Sequence, residues 1–424
     1  MTRSPSTVAL VLLTGVGPFA TDMYLAGLPE LRQSLHTNAT MAQLTLTAFI
    51  VGLAAGQFFL GPISDARGRR GLLLSGAVAF TVLSAACAVA PTAEVLVAAR
   101  LGEGIAAGSG VVIGRAVVTD THHGAAAAAK FGTLASITFL APIMAPALGG
   151  IVLTHGTWRA VFATLAAFGL AMVVAVLASI PETLHASDRQ SPRFRDIGAR
   201  MSDLLRDWSF LKHVTVYWLS AAGFFTYIGG SAFVLQSALG MSQSLYAVVF
   251  TTNAGAMAVT AVVFRALVPR LGARSLRTVG VTVSTLAAVG LLLTALAETR
   301  TTIPLALPWG LLCTVVAGTG LTVPATTALA QEAGRRSAGT AASLQGGLGF
   351  FIGALVTPLT GSIGYDSLLP MASAMAVFYL AAFTLMVAIG RCSPAGRPVD
   401  AGGSGSGHRP HTTPSGIHCT GDGG

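Results

Sequence analysis

The sequence predicts an all-α membrane protein, with twelve transmembrane helices in two six-helix halves and both termini cytoplasmic. Three observations carry this. Hydrophobic residues fill 53% of the 424 positions and charged residues only 10%, and the mean hydropathy is +0.72. The apolar residues gather into twelve runs, each long enough to cross a ~30 Å hydrocarbon core as a helix. The Lys and Arg residues concentrate in alternate gaps between those runs, as orientation signals do.

The runs are 8–28, 41–63, 72–90, 94–118, 130–154, 158–180, 213–236, 246–268, 276–297, 303–330, 338–362 and 367–390. Open sheets cannot span a bilayer, and the alternating pattern of barrel strands is absent. The first run, preceded by Arg3, superficially resembles a signal peptide. It is longer than a signal core, carries Asp22 and is followed by further runs, so it reads as a retained span. The gap 181–212 is the longest internal one and holds charges of both signs. It separates an N-terminal bundle (1–180) from a C-terminal bundle (213–391). Within this linker Ile197, Met201, Leu204, Leu205 and Trp208 recur at helical spacing. They predict an amphipathic helix over 196–208 on the cytoplasmic membrane surface. Residues 392–424 are mostly Gly, Ser, Pro, Thr and His, and predict a disordered cytoplasmic tail.

Gaps assigned inside contain Arg67, Arg69, Arg70, Arg270, Arg274, Arg335, Arg336 and a cluster between Arg189 and Lys212, whereas those assigned outside contain only Arg32, Arg159 and Arg300. Misplacing one span would erase this asymmetry. It also explains the net charge of +9 without any nucleic-acid partner. Arg270-Leu-Gly272-Ala-Arg274 echoes Arg67-Gly68-Arg69-Arg70 at the equivalent place in the second half, as expected of a transporter built from repeats.

Several chemistries find no support. Cys87, Cys313, Cys392 and Cys419 have no metal spacing and are expected as free thiols. His122-His123 has no further ligand nearby and reads as a solvated loop. Asn38-Ala-Thr40 is a weak glycosylation sequon in an outside loop. Gly15-x-Gly17-x-x-Ala20 lies within a span with no preceding strand, and there is no Walker motif, so ATP is not the energy source. No cofactor, metal or enzymatic activity is expected, and the chain is expected to be a monomer.

Gly61-x-x-x-Asp65-x-x-Gly68-Arg69-Arg70 resembles the loop 2–3 signature of the major facilitator superfamily, with Ala66 where an Arg is usual and Arg67 one place later. Arg100-x-x-Glu103-Gly104 is similar to its span-4 motif, with Glu103 in place of Gln. Ala145-Pro146-Ala-Leu-Gly149-Gly150 is similar to its antiporter motif, with Ala145 in place of Gly. Gly17-Pro18-x-x-Thr-Asp22-Met-Tyr24-Leu-x-x-Leu-Pro29 and Gly114-Arg115-Ala-Val-Val-x-Asp120 resemble the Bcr/CflA drug-resistance subfamily. The resemblance implies the major facilitator fold and proton-coupled efflux of small hydrophobic drugs by alternating access across the cytoplasmic membrane. Its partners would be the substrate, protons and the lipid bilayer. Proton-coupled uptake of a small metabolite is the alternative within transport, and a non-transporting membrane sensor or a membrane-embedded enzyme the alternatives outside it.

Acids inside spans bear on mechanism, because a charge at membrane depth costs roughly 2.5–3.5 kcal/mol even on insertion scales. Asp22 and Glu103 lie well inside spans, while Glu298, Glu332 and Asp366 fall at span ends. Six residues from the outer end of its run, Asp22 is expected about 9 Å deep. Arg100 is expected at the same depth, with Glu103 on its face. The three are the candidates for proton coupling, Asp22 as carrier. Asp65, Arg69 and Asp120 are the candidates for a cytoplasmic gate. Pro142, Pro146, Gly149 and Gly150 would form a hinge or an anti-leak seal, or simply a packing face. Tyr24, Phe224, Tyr227, Gln236, Asn253 and Gln345 are the candidates for substrate contact, a set that suits a neutral or zwitterionic ligand.

Overall fold

The computed structural model describes residues 5–24, 27–191, 193–298, 304–362 and 367–391. The predicted tail, Arg300, Asp366, Cys392, Cys419 and the side chain of Glu298 lie outside these residues. In chain order the helices are α1 (Thr7–Asp22), α2 (Leu28–Ser34), α3 (Ala39–Arg67), α4 (Arg69–Ala88), α5 (Ala93–Thr121), α6 (Gly124–His155) and α7 (Trp158–Ser179), followed by α8 (Phe194–Arg206), α9 (Trp208–Phe233), α10 (Gln243–Glu298), α11 (Ala306–Ala333), α12 (Ala338–Ser362) and α13 (Leu369–Arg391). Helix α10 bends at Gly272 and carries two of the predicted spans. With α2 and α8 set aside as short connectors, the twelve long segments match the twelve apolar runs.

The boundary that differs most is the first. Run 8–28 predicts one span, but α1 stops at Asp22. Asp22 is therefore the last residue of its helix, not a residue six places inside one. Pro18 within α1 has no N–H, so it cannot donate to the preceding turn.

One apolar core is built on Leu10, Val16, Phe49, Phe80, Val112 and Phe162 and runs on into the second half through Phe264 and Val268, and a second is built on Tyr227, Val249, Leu291, Val315 and Tyr379. The outward surface carries exposed Val82, Leu170, Val174, Val259, Leu286, Leu293 and Val377. A band of this size on a soluble protein would aggregate; in lipid it is the solvent-facing side.

Small residues set the closest approaches. A Cβ on Gly52 of α3 would fall 2.1 Å from the carbonyl oxygen of Leu101, and one on Gly104 of α5 would fall 2.1 Å from that of Phe49. The two backbones are thus in direct contact, as small-residue faces allow in membranes. Gly104→Ala is expected to force α3 and α5 apart at an overpacking cost of about 1–3 kcal/mol. Thermal unfolding of the detergent-solubilised protein should show a lower midpoint, and an unshifted one would count against the contact.

The linker helix α8 forms where its spacing predicts, but its apolar side is already occupied. Met201, Leu204 and Leu205 pack on Phe210, Val214, Ala330, Ala341 and Leu344. Asp207 ends α8 and caps α9 by accepting from Ser209 N at 2.8 Å, so Trp208 belongs to the next helix.

The internal repeat survives in backbone geometry. Gly68, between α3 and α4, has φ 97° and ψ 163°, and Gly272 has φ 75° and ψ 156°. A side chain would be strained at both. Both turns lie on the face that carries the arginine-rich loops, called here the basic face.

Candidate functional site

Three arrangements stand out. The first is a clasp around Arg100. Helix α1 leaves its last carbonyls without intrahelical partners, and Arg100 Nη2 donates to one of them, Ala20 O, at 3.1 Å. Arg100 Nη1 donates to Glu103 Oε2 at 2.8 Å one turn along α5, with both side chains fully buried. Ser84 Oγ donates to Glu103 Oε1 at 2.5 Å, and Cys87 Sγ lies 3.8 Å from Oε2. The guanidinium is caged by Phe49, Tyr24 and Phe162, whose ring centroids lie 4.2, 5.1 and 5.5 Å away. Tyr24 is hydrogen-bonded to the Thr45 hydroxyl.

Asp22 stands apart from this clasp. Its Oδ1 accepts from Thr21 Oγ1 at 2.9 Å, and among the described residues it has no cationic partner. Beside it, a Cβ on Gly149 of α6 would fall 2.1 Å from Met23 O. Gly149 thus lets α6 lie flush against the end of α1. Helix α6 runs unbroken through Pro142 and Pro146, and Gly150 faces open space.

The second arrangement closes the basic face. Arg69 Nη1 pairs with Asp65 Oδ1 at 2.7 Å and Arg69 Nε with Asp120 Oδ2 at 3.0 Å. Asp120 Oδ2 also accepts from Thr183 Oγ1 at 3.0 Å. Asp65 then reaches across to the other half: Oδ1 accepts from Gly339 N at 2.9 Å, and Oδ2 from Thr340 N at 2.7 Å and Thr340 Oγ1 at 2.6 Å. The two N–H donors are first-turn amides of α12, so one carboxylate from α3 caps a helix of the opposite half, where the helix dipole also favours it. Arg335, in the short 3-10 turn between α11 and α12, donates to the carbonyls of Thr119 and His122. Burial, Lys130 and His123 hold the His122 imidazole below its usual value. The linker adds a strap: Gln190 N donates to Asp65 O at 2.9 Å, and Gln190 Nε2 to Arg336 O at 2.7 Å and Ser337 Oγ at 2.8 Å.

The third is a cavity of about 120 Å³ between the halves, lined by residues of α1, α3, α5, α6, α11 and α12. Its apolar wall includes Leu53, Val111, Phe131, Leu134, Phe139 and Phe350, and its polar groups include Gln57, Arg115 and Thr327.

Two pseudo-equivalent bundles, a central cavity and a charged seal at the repeated loops form the arrangement of an alternating-access carrier. The sequence profile of the Major Facilitator Superfamily matches residues 10–358. The chain belongs to the major facilitator superfamily. This superfamily member is 33% identical over 383 residues to an MFS-type transporter of Bacillus subtilis, YdgK, covering 87% of this chain and 92% of YdgK. It is 30% identical over 247 residues to the multidrug resistance protein MdtL of Escherichia coli, covering 58% of this chain and 61% of MdtL. Its fold is similar to that of FucP, the E. coli fucose:proton symporter, in the outward conformation, with a TM-score of 0.71, 13% identity and coverage of 89% and 98%. It is a membrane transporter and not an enzyme.

Within this major facilitator protein the sequence-derived sets separate. Asp65, Arg69 and Asp120 come together, as do Arg100 and Glu103. Asp22 is not joined to Arg100, whose charge is already met by Glu103 and whose remaining reach goes to a backbone carbonyl. Of the six residues expected to touch substrate, none lines the cavity. Tyr24 is spent on the Arg100 cage, and Tyr227 accepts from Asn253 Nδ2 at 3.0 Å inside the second core. Phe224 packs beside Tyr227, and Gln236 belongs to the π-helical turn after α9. Gln345 lies one shell out, donating to Thr327 Oγ1 at 2.8 Å. Aromatic rings in a span mostly find apolar neighbours within their own bundle, and here they did. Sequence reasoning missed Gln57, Arg115 and Thr327. It also missed Glu182, which accepts from Arg69 N at 2.9 Å and caps α4, since Gly68 has no side chain to do so. An arginine three residues inside the end of the run 94–118 was the available signal for Arg115.

Proposed function

We propose that this transporter exports small, mostly hydrophobic drugs across the cytoplasmic membrane in exchange for protons, with both termini in the cytoplasm and Asp22 as the proton carrier. The observation that carries the reading is the isolation of Asp22. Of the carboxylates within the spans, Glu103 is neutralised in a fully buried clasp, whereas Asp22 is half-buried and has no cation beside it among the described residues. Thr14, Pro18 and Asp22 follow one another at four-residue intervals on α1. The first two line the cavity, so Asp22 continues that face about 6 Å further out.

In this mechanism the seal at Asp65, Arg69 and Asp120 keeps the cytoplasmic side closed while the cavity faces outward. A proton reaches Asp22 from outside, the halves rock, and an apolar substrate entering from the cytoplasm displaces the proton. Gly149, tight against the turn after Asp22, transmits movement of α1 to α6. The likeness to MdtL supports export and a drug-like substrate; the antiporter-like run in α6 supports exchange over symport.

Inverted vesicles with an imposed proton gradient and a panel of antibiotics test the reading. Asp22→Asn is expected to abolish gradient-driven accumulation while leaving the protein folded. Full, pH-insensitive transport by that variant would remove Asp22 from the mechanism. Unchanged flux on collapsing the gradient would remove proton coupling.

A further inference from the structure

The cavity holds one fixed positive charge that no carboxylate among the described residues balances. Arg115 lies on α5 six residues before the helix ends at Thr121, about 9 Å inside that end. It lines the cavity. Its Nη1 is buried without a hydrogen-bond partner, and no carboxylate among the described residues pairs with it. A guanidinium cannot lose its proton to escape this cost, and cations at membrane depth otherwise pair or bind ligands. Gln57 faces the same cavity, is fully buried, and leaves both amide atoms, Oε1 and Nε2, unsatisfied. The two groups converge: a Cβ on Gly346 would fall 2.7 Å from Gln57 Oε1 and 2.8 Å from Arg115 Nη1. Buried polar groups are nearly always satisfied in a resting protein. Two adjacent ones left open, opposite a glycine that keeps the space clear, mark a place for a ligand's polar group.

We propose that Arg115 and Gln57 form an anion subsite of the transport cavity, and that the substrates are apolar molecules carrying a single anionic group. The anion takes the guanidinium fork, and the Gln57 amide, whose Oε1 now faces the gap, turns over to offer its N–H, while the body of the molecule packs on Phe131, Leu134, Phe139 and Phe350. This deepens the transport reading above and rests on it. It also changes the ligand expected from sequence, which was neutral or zwitterionic.

Naphthalene-2-sulfonate and its neutral twin naphthalene-2-sulfonamide separate the two ligand classes on the full-length purified protein, by calorimetric binding in detergent. The sulfonate is expected to bind about tenfold or more tightly than the sulfonamide, the usual margin for a charge-assisted contact. Arg115→Gln should erase that margin by weakening the sulfonate alone, Arg115→Lys should keep part of it, and Gly346→Ala should weaken the sulfonate by crowding both side chains. Equal affinity for the two probes, or a margin that persists in a folded Arg115→Gln protein, overturns the subsite. The readout is binding, so it stands apart from flux. Selective sulfonate binding with no gradient-driven transport would leave the subsite and overturn the exporter reading. Transport of neutral antibiotics without sulfonate binding would do the reverse.

Discussion

Asp65→Asn is expected to open the basic face. The carboxylate accepts four donors, three of them from α12 and the fourth from Arg69. An amide keeps one acceptor oxygen and turns an NH₂ group toward donors, so Gly339 N, Thr340 N or Arg69 loses its partner. Asp65 is 2% exposed and Arg69 1%, and removing one member of a buried charged set costs about 3–5 kcal/mol. That cost falls only on the conformation in which α3 and α12 meet, since the cap does not exist once they part. The equilibrium between the two faces should therefore move by roughly two orders of magnitude or more toward the basic side open. Spin labels at the exposed positions Arg70 and Arg336, on opposite halves, should report a longer distance in the variant. An unchanged distance distribution would show that the cap does not hold the halves together.

Glu103→Gln is expected to damage stability more than transport. It removes a charge from a site that holds Arg100 fully buried with Nε already lacking a partner. The guanidinium stays charged, so the loss is the cost of an uncompensated buried cation, again about 3–5 kcal/mol. Arg100→Gln is the instructive contrast, because the Glu103 it leaves behind can take up a proton and donate to a neighbour. Glu103→Gln should thus unfold at a markedly lower temperature at any pH, while gradient-driven transport persists in vesicles kept cool. Loss of proton coupling with unchanged stability would instead make Glu103 the titrating group in place of Asp22. The usual Gln of the superfamily at this position makes the comparison sharper: here the acid serves Arg100, with Ser84 and Cys87 built around it.

What the sequence could reveal followed from the range of each interaction. Spans are local, twenty-residue facts of composition, and their number and boundaries read well. The repeat was visible because a positive φ demands glycine at both Gly68 and Gly272. The end of α1 at Asp22 did not show, since the apolar run continues past the break. The Asp65 cap on α12 links residues hundreds of positions apart, and no pattern near either one hints at the other. The cavity wall was hidden for a different reason. Gln57, Arg115 and Thr327 stand openly in the sequence, but which side of a helix faces the partner half depends on how six helices pack, and twelve nearly uniform apolar runs carry little of that. Conspicuous rings such as Phe224 and Tyr227 drew attention that the amide and the guanidinium needed.

The pairing of halves at the basic face is unequal in kind. Where α3 meets α12 the bond is a carboxylate on backbone amides. At the place equivalent to Asp65 in the second half stands Pro269, and where α6 meets α10 the fully buried ring of Phe264 presses on Gly132. Parting the two seams therefore wets polar groups on one side and apolar surface on the other, and these contribute to heat capacity with opposite signs. Cooling weakens the greasy seam while sparing the charged one. A gate closed by both kinds of contact keeps its poise over a wider span of temperature than one closed by either alone, a form of thermal compensation written into a single asymmetry between two repeats.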